Sequence, residues 1–179
     1  MPDMHLTIWL LAAAGPIGAI DVVYFHLWKF RLYSRPQSRA EELTHITRGV
    51  MVPVVFAMLL VGRPEGTLFW IGAALFFLDM LDGILDVMFE PRSRAPIGVP
   101  PLELAIHFIG TTMMGASWGI YMITGWATRN APSALIRWAP GTFPPWLPTL
   151  AWGGLASGLV LVLVETALVV KYARAAATR

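Results

Sequence analysis

The sequence predicts an all-α integral membrane protein of five transmembrane helices, on three observations. It is 56% hydrophobic and 13% charged, with mean hydropathy +0.63, against about 45–50% apolar and about 25% charged in soluble domains. Its apolar residues fall into stretches of about 20 or more, the length a helix needs to cross a bilayer. Its cations gather on alternate connections: Lys29, Arg31, Arg35, Arg39, Arg48, Arg92, Arg94, Lys171, Arg174 and Arg179 on one side, only Arg63, Arg129 and Arg137 on the other. That positive-inside bias puts the N-terminus outside and the C-terminus inside, in a single membrane domain over 1–179.

Helix 1 is expected over about 5–33, with a kink at Gly15-Pro16. Asp3 and the lack of Lys or Arg before it argue against a cleaved signal peptide. Ser38-Arg39-Ala40-Glu41 reads as a capping box that opens helix 2, about 39–62. Arg63-Pro64-Glu65-Gly66 is a tight turn into helix 3, about 67–89. Pro100-Pro101 opens helix 4, about 101–128. The Pro- and Trp-rich stretch 129–148 suits an outer interfacial loop, and helix 5 covers about 150–172. Gly115-x-x-x-Gly119 and Gly154-x-x-x-Gly158 offer close-packing faces.

The absence of cysteine excludes disulfides, thiolate metal sites, iron–sulfur clusters and covalently attached haem. The charge of +2 is spread over the loops and gives no reason to expect nucleic-acid binding.

The polar residues sit where a membrane protein tolerates them least. Asp79, Asp82 and Asp86 fall at i, i+3 and i+7 of an apolar helix, and such acids need cations, protons or a metal. Counted from the cytoplasmic helix ends at about 1.5 Å per residue, His26, His45, Asp82 and His107 all lie roughly 10 Å deep. Glu42, Asp86 and Glu103 form a shallower layer, and Asp21 and Asp79 a deeper one. Glu42 with His45, and Glu103 with His107, share helix faces. Helices 1–4 are therefore expected to form an antiparallel bundle around a polar site.

Imidazole with carboxylate in a helical bundle is a ligand set for iron or zinc. Glu42-Leu43-Thr44-His45 resembles the Glu-x-x-His element of ferritin-like di-iron carboxylate bundles, a likeness of site style that implies no reaction. The expected metal ligands are His26, Glu42, His45, Asp82, Asp86, Glu103 and His107. Glu42, Asp86, Glu103 and the mid-span Glu165 are expected to bridge metals or carry protons. Asp21, Arg48 and Asp79 are expected to support them, with Asp21 orienting a ligand or pairing with Arg48. Bland readings stand beside these: Glu103 as a first-turn acid favoured by the helix dipole, a lone His as a hydrogen-bonded packing residue, Glu41 as capping partner of Ser38, Glu90 as a solvated helix end although it extends the aspartate stripe, and His5 as incidental at the opposite face.

The functional expectation is a bacterial inner-membrane metalloenzyme with iron (di-iron) or zinc near the cytoplasmic face. It would act on a hydrophobic or lipid-like molecule, with oxidation or hydroxylation ahead of hydrolysis. The alternative is a non-catalytic accessory subunit, with haem, disfavoured by the surplus of acids, as a further cofactor. In either case 126–152 could dock a membrane-protein partner. A transporter ranks last, because the outer halves of helices 2 and 3 offer no polar path.

Overall fold

The computed structural model describes residues 4–177; Asp3 and Arg179, which entered the topology reading, lie outside them. The chain is all-α apart from one small sheet. Its long helices are α1 (Met4–Ile20), α2 (Arg39–Val61), α3 (Thr67–Ser93), α4 (Pro101–Gly125) and α5 (Trp146–Ala177). α1 packs on α4, α2 lies against both α3 and α5, and α3 also meets α4.

Four stretches are long and apolar enough to cross a membrane: Met4–Lys29, Pro36–Val61, Thr67–Ser93 and Trp146–Ala176. α4 is long enough at 25 residues, but Glu103, His107 and its Thr, Ser and Gly residues dilute its hydropathy. Large apolar side chains stand exposed on the helices, among them Leu78, Val87, Phe108 and Leu163, as expected where the surrounding solvent is lipid.

Each helix divides its burial in two. Ile8 and Leu11 of α1, Val55 and Leu59 of α2, Phe69 and Phe76 of α3, Met114 and Tyr121 of α4, and Leu147 of α5 form one apolar core. Tyr121 donates a 2.8 Å hydrogen bond to the Phe69 carbonyl and stacks on its ring. The opposite halves of α2 to α5, and the stretch that follows α1, carry the buried ionisable residues.

Local structure departs from expectation in four places. α1 includes Pro16, and the winding of helix 1 changes at Asp21, where Asp21–Lys29 turns π-helical. Ser38 makes no capping bond; its Oγ accepts from Ser93 Oγ at 2.6 Å, tying the end of α3 to the start of α2. The turn at 63–66 is largely a strand, β1 (Gly62–Glu65), paired antiparallel with β2 (Ala134–Arg137). The 129–148 segment thus folds back on the bundle: Trp138 donates to the Leu59 carbonyl at 2.7 Å and packs with Phe143 around His5. Finally, Gly115, Gly119 and Gly154 face open space, whereas a Cβ at Gly158 would meet the Gly49 carbonyl oxygen and Pro53 of α2 at 3.2 and 3.1 Å.

Candidate functional site

The π-helical stretch builds the first wall. In an α-helix Asp21 and His26, five residues apart, would point about 140° from one another. Bonding from i to i+5 brings such residues toward one side. Both are buried here, with His26 Nε2 and Asp21 Oδ2 3.9 Å apart. α2 contributes Glu41, Glu42, Thr44 and His45, all buried. α3 contributes Asp79, Asp86 and Glu90; α4 contributes Glu103 and His107; α5 contributes Glu165.

His26 is the centre, with no exposed surface. Its Nε2 lies 3.8 Å from both Glu41 Oε1 and Glu103 Oε1, and its Nδ1 lies 3.9 Å from Glu42 Oε1. The His45 ring stands edge-on at 4.0 Å between centroids. His45 Nε2 meets Asp86 Oδ1 at 3.0 Å, and Thr44 Oγ1 donates to the same oxygen at 3.0 Å. His107 Nε2 meets Asp21 Oδ2 at 2.9 Å, with Nδ1 3.3 Å from Glu90 Oε1. Two groups therefore hold donor atoms within 4.8 Å of one another: Asp21, His26, Glu103 and His107, and His26, Glu41 and His45. They share His26.

Arg94 belongs to this site although the sequence reading left it in a cytoplasmic loop. It is completely buried, pairs through Nη1 with Glu41 at 2.7 Å and through Nη2 with Glu103, and Phe30 covers its guanidinium at 5.0 Å. Nη2 also donates to His26 Nε2 at 3.3 Å. Because a guanidinium only donates, Nε2 accepts and the imidazole proton falls on Nδ1, toward Glu42. Burial opposes the Arg94 charge, but the bonds from Glu103 and Glu41 outweigh it and raise its pKa above the ordinary arginine value.

Two residues, Asp82 and Glu41, are placed differently from expectation, and for Asp21 and Glu90 the structure takes one of the two alternatives. Asp82 is only half-buried and hydrogen-bonds Thr47 instead of joining the donor groups. At about 100° per residue Asp79, Asp86 and Glu90 fall within about 40° of one another, and Asp82 lies about 60° to one side. Asp21 is the partner of His107, while Arg48 takes Asp79 at 2.9 Å. Glu41 is the carboxylate of Arg94 and no capping residue. Glu90 faces inward, 3% exposed, and is no solvated helix end. Glu42 and Asp86 line the site next to His26 and His45. Glu165 is buried and interacts electrostatically with Glu42.

The charges do not balance from within. Apart from the Arg48–Asp79 pair, Asp21, Glu41, Glu42, Asp86, Glu90, Glu103 and Glu165 bury seven carboxyl groups against Arg94 and three imidazoles. Protonating every imidazole still leaves three acids in excess, and buried charge is not tolerated uncompensated. Both Glu42 oxygens, His26 Nδ1 and Glu165 Oε1 are buried with no hydrogen-bond partner among the described residues. The donor atoms of the two groups lie close enough together to hold a cation.

Fold and site together define the class: a helical protein with four stretches long and apolar enough to span a membrane and a buried His/carboxylate/Arg centre. No protein-family model, curated protein or solved structure matches the chain, and the particular activity has to be argued from the residues themselves.

Proposed function

We propose that this chain is an integral membrane metalloprotein that acts on a hydrophobic substrate at the His26 centre. α4 is its fifth span, its N-terminus lies outside, and the centre lies toward the cytoplasmic face of a bacterial inner membrane. The observation that carries this reading is the excess of buried carboxylates over cations around three convergent imidazoles. His26, Glu41 and His45 form a two-His, one-carboxylate set, the kind used by non-haem iron(II) oxygenases. Asp21, His26, Glu103 and His107 supply a second set sharing one ligand, which favours iron over zinc and oxidation or hydroxylation over hydrolysis. Glu41 and Glu103 keep lone pairs free while bound to Arg94.

Bound iron would supply redox and Lewis-acid chemistry. The chain's own residues do the rest. Asp86 orients His45, and Asp21 and Glu90 orient His107, as carboxylates behind imidazole ligands do. Arg94 fixes Glu41 and Glu103. Glu42 and Glu165 are placed to hold or pass a proton beside His26 Nδ1.

Elemental analysis of the purified protein tests this. Wild type should carry iron in at least stoichiometric amount, and His26→Ala, which removes the shared ligand, should carry none. Metal-free wild type, or full metal in His26→Ala, would overturn the proposal.

One observation favours a second reading, a non-catalytic accessory subunit with an internally paired cluster. Arg94 stands against His26 Nε2, and His45 and His107 each face carboxylates. On that reading the protein is metal-free with or without chelator. A haem-binding variant of it would show a Soret band.

A further inference from the structure

A cavity lined by both apolar and charged residues opens sideways between α3 and α4. Its volume is about 340 Å³, at the small end of the roughly 300–1,000 Å³ range of ligand sites. Met80, Ile84, Val87 and Met88 of α3 form its walls, with Thr111 and Gly115 of α4 opposite. Gly83 and Gly115 make the concavity: a Cβ at Gly115 would meet nothing within 4 Å, and one at Gly83 only Arg48 Nη1 at 4.0 Å. Arg48 and Asp79 close the inner end.

Arg48 is the unusual element. Its Nε donates to Asp79 at 2.9 Å; the side chain is 23% exposed and lines the cavity, and its η nitrogens make no hydrogen bond among the described residues. In apolar surroundings those N–H groups require an acceptor. The same protein shows what satisfies a guanidinium in this position, because Arg94 is held between two carboxylates, Glu41 and Glu103. One of the two carboxylates is already present at Arg48, and the place of the second is the cavity.

We propose that this groove binds a single-chain amphiphile with a carboxylate head, its hydrocarbon chain between α3 and α4 and its head on the Arg48 η nitrogens. The groove covers the head and the first part of one hydrocarbon chain, and the sideways opening lets the rest of the chain stay in the bilayer. Arg48 is one helical turn from His45, so the head docks beside the proposed metal centre. As a substrate assignment this rests on the metalloprotein reading; as a binding site it does not.

Binding is measured on the full chain in nanodiscs by competition of oleate, and separately of methyl oleate, against a fluorescent fatty acid, with metal content determined on the same samples. Wild type should bind oleate at least about tenfold more tightly than the ester, the worth of a charge-assisted hydrogen bond. Arg48→Gln should abolish that preference. Gly115→Leu and Thr111→Leu, which fill the groove from open space, should lose oleate while keeping wild-type metal content and melting temperature. Unchanged oleate binding in both filled variants, or equal affinity for acid and ester in wild type, would overturn the groove assignment. Loss of metal in wild type would overturn the metalloprotein reading and leave the groove standing.

Discussion

Arg94→Gln is the substitution with the largest expected effect on folding. The arginine has no exposed surface, and its fork holds Glu41 through Nη1 and Glu103 through Nη2 while Phe30 covers its face. Removing it strands two fully buried carboxylates. Breaking a buried ion pair from one side costs about 3–5 kcal/mol. For a chain of this length, each kcal/mol moves Tm by about 2–4 °C, so a fall on the order of 10 °C is expected. The eight tryptophans make intrinsic fluorescence a suitable monitor of thermal unfolding in detergent. Arg94→Lys keeps the charge but loses the two-pronged geometry and should fall in between. The triple change Arg94→Gln, Glu41→Gln, Glu103→Gln removes all three charges together and should recover part of the loss. A fall of less than about 1 kcal/mol for Arg94→Gln, the range of an exposed pair, would refute the buried-triad reading.

Other expectations follow from single contacts. Gly158→Leu drives a side chain into the Gly49 carbonyl and Pro53, and should cost about 1–3 kcal/mol by thermal denaturation, loosening α5 from α2. Tyr121→Phe removes the bond to the Phe69 carbonyl and leaves a buried acceptor short of one donor, for a loss of about 1 kcal/mol in the same assay. Glu42→Gln places a neutral amide where both carboxylate oxygens are unpartnered; with metal bound it should lower activity while leaving metal content intact. Loss of metal in this variant would make Glu42 a ligand.

The all-α class and its long helices were legible because long apolar runs survive any detail of packing. The level of the site was legible for a related reason: His26, His45 and His107 stand at matching distances from helix ends, and rise per residue converts that into depth. Azimuth was not. Asp82 and Asp86 look equivalent at i, i+4, yet the direction α3 presents to its neighbours separates them by about 40°. Asp21 and His26 looked incompatible because α-helical phase was assumed where the chain is π-helical. Glu41 and Arg94 were hidden by adequate local explanations, a capping box and a positive-inside loop residue. The signal that could have found them is the chain's own ledger of charge: so many acids at one depth call for a guanidinium, and Arg92 and Arg94 stand at the end of α3, of which Arg94 is the buried one. The sheet of β1 and β2 pairs residues far apart in sequence, which local patterning does not reveal.

The π-helical stretch gives the first membrane segment two independent phases. Residues before Asp21 keep α-helical periodicity and turn Ile8 and Leu11 toward the apolar core. Residues after it are rotated to a different setting, which turns His26 to the centre and Phe25 toward Phe30 and Leu32. One continuous rod thus behaves like two gears on a common shaft. Lipid-side fit and ligand direction can be adjusted separately, and deleting one residue near Asp21 would keep the rod while re-aiming everything beyond it.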